Sequence, residues 1–181
     1  MTRVLVPLAQ GCEELEAVTI IDLLRRAGIE VVTAGLESGP VTASRGVRLL
    51  PDMTLDEALE LDYDMVVLPG GLPGSDKLAD DVRLTALLRR MNESGRFVGA
   101  VCAAPKVLAR EGILDGRRAT AFPGVLQAEE HPDITGNPVT RDGHVITSRS
   151  VGTVMDFALE IVEALLGREQ RDSLERSLER S

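Results

Sequence analysis

Short apolar runs alternate along the chain with longer stretches in which apolar residues recur at helical spacing. "TRVLVPLAQG" reads as a strand, and "CEELEAVTIIDLLRRAG" keeps its apolar residues on one helical face until Gly28 stops it. "IEVVTAGL" is a second strand. "DMVVLPGG", "VRLTALLRRMNESG" and "RFVGAVC" repeat the theme, and "HVITSRSVGTVMDFALEIVEALLG" supplies a last strand, a glycine turn and a closing helix. Near-continuous apolar strands separated by helices predict a doubly wound α/β fold: a mostly parallel sheet sandwiched between helices, because each parallel connection needs a crossover. "SRGVRLLPDMT" and "ATAFPGVLQAEEHPDITGNPVTRDG" read as shorter strands, turns and surface loops. The end, "REQRDSLERSLERS", has no apolar face wide enough to pack, which predicts a frayed helix or a disordered charged tail over residues 169–181.

Composition narrows the function classes. With 181 residues and 44% apolar content, the chain can bury one sizeable core, placed here in a single domain over residues 1–168. A net charge of -9 and only four aromatics (Tyr63, Phe97, Phe122, Phe157) argue against nucleic-acid partners, which need cationic surface and stacking platforms. No apolar run approaches the roughly 20 residues that cross a bilayer. No cleavage-site pattern follows Met1, so the expected location is the cytoplasm. Cys12 and Cys102 are too isolated for a disulfide framework or a metal site, and no cofactor motif appears.

Cys102 is placed for chemistry. In "RFVGAVCAAPKVLARE" it ends an apolar strand just before a helix with Pro105 in its first turn, the position where a doubly wound sheet binds ligands. A residue on such an elbow is pushed out of the sheet, and the opening amides of the helix favour thiolate, predicting a lowered thiol pKa. The competing reading is a small buried hydrophobe. Gly99, Ala100, Ala103 and Ala104 leave room around the sulfur and favour the reactive one. The "PGG" after "DMVVL" offers Gly70 and Gly71, whose backbone can approach a ligand or make an ordinary turn. Together Gly71 and Ala103 could supply an oxyanion hole.

On a wheel advancing ~100° per residue, Glu16 falls among the apolar positions, opposite Asp22, Arg25 and Arg26. It is therefore a candidate inward-facing acid/base with a raised pKa, against the alternative of a first-turn glutamate stabilised by the helix dipole. Glu13 reads as solvent-facing in the first turn and Glu14 as surface. His131 and His144 sit in polar turns and read as solvated, which leaves Cys102 without a histidine base. Cys12 reads as structural filler.

These segments carry a resemblance. "VLVPLAQGCEELEAVTIIDLLRRAGIEVVTAGL", "SRGV", "YDMVVLPGG", "VCAAP" and "ITSRSVGTVMDFALEIVEALLG" are similar, in order and spacing, to the ThiJ/PfpI superfamily, in the branch of the human Parkinson-disease protein and bacterial YajL. The likeness spans about residues 3 to 168. It implies a flavodoxin-like sandwich that forms a homodimer, with Cys102 as nucleophile, Glu16 as the protonated carboxyl bonded to it, and Gly70, Gly71 and Ala103 as backbone donors. Arg45 of "SRGV" would reach the other subunit's site. Where the human member has a His-Pro pair near the cysteine, this chain has Phe122 and Pro123; where protease-like members place histidine directly after the cysteine, it has Ala103.

The implied activity is a cofactor-independent glyoxalase or deglycase acting on methylglyoxal, glyoxal or their adducts, with oxidative-stress protection. The alternative is a redox sensor or chaperone in which Cys102 oxidises to a sulfinate. A hydrolase would need a histidine beside the thiol.

Overall fold

Val4, Val6 and Leu8 lie on one face of the first strand, β1 (Arg3–Leu8), and Leu5 on the other, and all four are buried. Side chains alternate across a strand, so a strand apolar at every position must be covered on both sides. In this computed structural model, which describes residues 1–131 and 133–180, that is the case. The chain runs through α1 (Glu14–Arg26), β2 (Glu30–Gly35), a small antiparallel pair β3 (Val41–Thr42) and β4 (Arg48–Leu49), β5 (Met53–Thr54), α2 (Leu55–Ala58) and β6 (Met65–Leu68). It continues through α3 (Gly74–Asp80), α4 (Val82–Glu93), β7 (Phe97–Val101), α5 (Pro105–Arg110), β8 (Val139–Asp142), β9 (Val145–Ser148), α6 (Val154–Leu166) and α7 (Arg168–Ser177).

The main sheet has the order β5-β2-β1-β6-β7-β9-β8, parallel except for β8 at one edge. One apolar layer packs under α2 to α5 and contains Leu5, Val66, Leu84 and Leu108; the other, under α1, α6 and α7, contains Val6, Ile20, Phe157 and Leu174. After β1 the chain first builds outward to β2 and then crosses back to β6. The carboxyl ends of β1 and β6 therefore flank the reversal point where open α/β sheets place their ligands. Among the described residues no helix is long and apolar enough to cross a membrane.

The structure adds two local elements to the sequence reading and corrects one expectation. The stretch after Gly71, which carries no helical pattern, forms α3, held by Ser75, Leu78 and Ala79 buried along one face. Within the stretch read as shorter strands, turns and loops, β8 pairs antiparallel with β9. Residues 168–177 are not frayed: α7 docks on α6 through Leu174, and Arg171 and Arg180 pair with Glu163 and Asp156.

Candidate functional site

Cys102 directly follows β7, and its φ is 61°, in the left-handed region that costs a non-glycine residue about 1–2 kcal/mol. Both of its peptide groups are tied. Its N–H donates to Ser148 C=O at 3.0 Å, and its C=O accepts from Phe122 N–H at 2.9 Å. The turn is thus fixed from two neighbouring segments, and Pro105 follows in the first turn of α5, where a missing N–H is harmless. The sulfur-bearing side chain is left half-buried, and the N–H groups of Ala103 and Gly71 are directed at it.

Glu16 comes from the other side of the reversal point. Glu13 caps α1 by accepting the Glu16 N–H at 2.8 Å, and the helix carries the Glu16 side chain inward to complete burial. Its Oε2 accepts the Gly70 N–H at 2.8 Å, while Oε1 is buried without a hydrogen-bond donor among the described residues. The Cys102 thiol faces this carboxyl closely enough for each to shift the other. Gly70 sits in the angle between them: a methyl group there would stand 2.6 Å from Glu16 Oε2 and 2.8 Å from Cys102 Cβ. Gly71, at φ 90°, has Glu13 N only 2.4 Å from where its Cβ would be. Both glycines are required by close approach, not by loop flexibility.

Burial pushes the Glu16 carboxyl up to about 7, against the downward pull of the Gly70 N–H and the thiol. Burial also pushes the Cys102 thiol up, to about 12, and the negative charge of ionised Glu16 adds to this; the Ala103 and Gly71 amides pull down but do not win. Burial and the facing carboxylate thus act against the lowering that the helix-end amides alone would produce. Two acids in contact titrate as a pair: one proton leaves near neutrality and the second is held far into alkali. Near pH 7 and above, the resting pair carries one proton between sulfur and carboxylate. Such a thiol is activated by transfer of that proton to Glu16 rather than by standing ionisation.

Glu14, expected on the surface, is also buried, with only 8% exposed. Its carboxylate accepts from Ser44 Oγ at 3.1 Å and from Arg45 N–H at 2.9 Å, so it anchors the turn that presents Arg45. Burial pushes this carboxyl up, but amide and hydroxyl donors outweigh it and hold it below the usual range. Nothing local in the sequence announces that a turn 30 residues away in the chain folds over it. Glu14→Ala is expected to destabilise the protein by about 1–3 kcal/mol, since the Ser44 hydroxyl and the Arg45 and Val47 amides lose a buried acceptor; a urea midpoint unchanged from wild type would contradict this.

Phe122 and Pro123 are exposed at the elbow, and Arg45 is exposed on the surface. Cys12 is buried, and burial first, then the charge of Glu14, pushes its thiol up to about 11, which suits filler better than redox chemistry. Among the described residues, neither histidine makes a hydrogen bond to Cys102. His144 bonds Asn92 at 2.8 Å, and its C=O receives the Val98 N–H at the opposite end of the sheet. His131 lies beside Lys106 and Arg110 in a shallow hollow.

The DJ-1/PfpI family profile matches residues 2–164. Protein dj-1beta of Drosophila melanogaster is 41% identical over 177 residues, covering 96% of this chain and 95% of that protein. Protein DJ-1 homolog B of Arabidopsis thaliana is 46% identical over 170 residues, covering 93% of this chain, which spans only 39% of that longer protein. The glutathione-independent glyoxalase DJR-1.2 of Caenorhabditis elegans is 36% identical over 167 residues, covering 91% of this chain and 89% of that protein. Among solved structures, oxidized Toxoplasma gondii DJ-1 superposes with a TM-score of 0.94 at 35% identity, covering 100% of both chains.

Proposed function

The chain belongs to the DJ-1/PfpI family, and on that premise we propose that it is a cofactor-independent glyoxalase, with Cys102 as nucleophile and Glu16 as proton carrier. The substrates are methylglyoxal, glyoxal or their early adducts with amines and thiols. The observation that carries this reading is the buried Glu16 carboxyl, tuned to about 7 and facing a thiol toward which two amides point. A general base works best with a pKa near the operating pH. The likeness to a named glutathione-independent glyoxalase supports the substrate class.

Sγ bonds to the aldehyde carbon as its proton passes to the Glu16 carboxylate, and the oxyanion forms against the Gly71 and Ala103 amides. The oxyanion takes that proton, leaving a hemithioacetal and a free carboxylate. Glu16 then removes the hydrogen of the former aldehyde carbon and delivers it to the adjacent carbon, while the hydroxyl proton moves to the neighbouring oxygen. The first carbon is now a thioester carbonyl. Water cleaves it, giving a 2-hydroxy acid (lactate from methylglyoxal) and the Cys102 thiol. Glu16 must be ionised to begin, so kcat/KM is expected to rise through about pH 7 and level off above it. The test follows methylglyoxal loss and lactate formation across about pH 5 to 9. A flat profile, or no lactate, would sink the reading.

A second copy of the chain belongs to this proposal. Leu15 and Val18 on α1, Val47 in the Arg45 turn and Met155 on α6 are large apolar side chains left exposed, the kind of surface that a partner copy covers. A second reading, redox sensing, is favoured by the Glu16 carboxyl that faces the sulfur: as an acid, that carboxyl can hydrogen-bond a sulfinate oxygen on Cys102. Intact mass after mild peroxide, compared with turnover, separates the two.

A further inference from the structure

A cavity of about 280 Å³ opens at the carboxyl ends of β1 and β2, and neither Cys102 nor Glu16 lines it. In a parallel sheet this is the edge at which ligands bind. Its apolar floor is made by Leu8, Leu36 and Val41, of which Leu8 and Val41 are buried in the core. Leu36 directly follows β2, and its N–H donates to the Leu8 C=O at 3.2 Å, so the sheet itself sets the two leucines. The walls are pinned as well. Gln10 holds the chain that leads into β3, accepting the Thr42 N–H at 2.8 Å and donating to the Pro40 C=O at 3.0 Å. Arg83, in the first turn of α4, donates to the Leu36 C=O at 3.0 Å and pairs with Asp81 at 2.6 Å and Asp56 at 2.8 Å. Such a cavity is formed before any ligand arrives, as small-molecule sites usually are.

Most charges around the cavity are already paired. Arg83 and Asp81 neutralise each other, and Asp80 pairs at 2.7 Å with Arg110, which lies outside the lining. Glu37 and Lys77 remain: both are exposed, both line the cavity, and neither has an ion-pair partner among the described residues. An unpaired carboxylate and an unpaired ammonium around one apolar floor complement a ligand that carries the opposite pair of charges on an apolar body. We propose that this cavity binds a free branched aliphatic α-amino acid, with its carboxylate at Lys77, its ammonium at Glu37 and its side chain against Leu8, Leu36 and Val41. A simple carboxylate would be repelled by Glu37 and a simple amine by Lys77, so the zwitterion is favoured over either. The volume lies at the small end for ligand sites, which suits a single amino acid better than a peptide. The inference does not rest on the chemistry of Cys102.

The test titrates isotopically labelled protein with leucine, glycine, leucinamide and N-acetylleucine and follows the backbone amide chemical shifts. A ligand as small as leucine is expected to bind with a Kd of about 0.1–1 mM, with the shifts centred on Leu36, Val41 and Lys77. Glycine, which lacks the apolar body, should bind about tenfold more weakly or worse. Leucinamide lacks the carboxylate and N-acetylleucine the ammonium, and each should lose about fivefold or more, because an attraction is replaced by a repulsion. Lys77→Gln should weaken leucine about two- to fivefold without weakening leucinamide, and Glu37→Gln should weaken leucine to the same extent without weakening N-acetylleucine. Both positions are exposed, so the fold should be undisturbed in either variant. No shifts with leucine at about 10 mM, well above the expected Kd, would overturn the site. So would leucinamide or N-acetylleucine binding as tightly as leucine, or shifts centred on Cys102 and Gly71, which would place the amino acid at the elbow. Cys102→Ser should bind leucine as the wild type does, so a failure of the glyoxalase reading leaves this site standing.

Discussion

Cys102→Ser is expected to lose methylglyoxal turnover by about 10³-fold or more, because a hydroxyl with a far higher pKa replaces the thiol that must bond to the aldehyde carbon. The fold should survive. Serine is close in size to cysteine, so the elbow geometry and both backbone bonds at position 102 can persist, and a melting temperature within a few degrees of wild type is the control. Residual lactate formation within tenfold of wild type would show that Cys102 is not the bond-forming atom, and the adjacent Glu16 would then have to act on free hydrated substrate.

Glu16→Gln separates the two halves of the pair. It keeps an oxygen for the Gly70 N–H and a donor for the sulfur but cannot carry a proton, so turnover should fall by about 10²–10⁴-fold. Thiol reactivity should move the other way. Ionised Glu16 is one of the causes that push Cys102 up, so removing that charge lowers the thiol pKa, and iodoacetamide alkylation near pH 8 should be faster in the variant. Stability carries a third signature. The folded-state pKa of Glu16 lies above the ordinary carboxylate value, so the folded protein binds the extra proton and wild-type stability declines as pH rises from about 4.5 toward 7. The amide of the variant has no such proton, and the stability difference should drift in its favour over that window. A variant that loses turnover and alkylates more slowly than wild type would mean that the carboxylate activates the thiol at rest, contrary to the electrostatics described here.

The alternation of Val/Leu runs with amphipathic stretches was enough to anticipate the layered parallel sheet, because both periodicities are local properties of the chain. Cys102 and Glu16 were legible for the same reason: one ends an apolar run before Pro105, and the other interrupts an apolar helical face. What escaped depends on distant partners. Glu14 looks exposed on its own helix and is buried only because residues 44–47 fold over it. "GSDKLAD" carries too few apolar residues to announce α3, which exists because Ser75, Leu78 and Ala79 find a core face. The Arg/Glu-rich end looked unable to pack, yet a single leucine and ion pairs to α6 suffice to dock it. For the thiol, the helix-end amides that favour ionisation are visible in sequence, whereas the burial and the facing charge that oppose it are not.

The tying of both Cys102 peptide groups, to Ser148 on one side and Phe122 on the other, bears on what happens after the sulfur has reacted. With the main chain clamped, a bulky adduct cannot be relieved by swinging the backbone aside; it can only turn about the Cα–Cβ bond or push on its neighbours. An adduct that stays within the space around the side chain leaves the bonds that join β7, β9 and the 122–125 turn untouched; one that presses on the main chain loads all of them. The elbow thus joins three segments that are far apart in the chain, so that any strain an adduct puts on the Cys102 main chain is shared by all three.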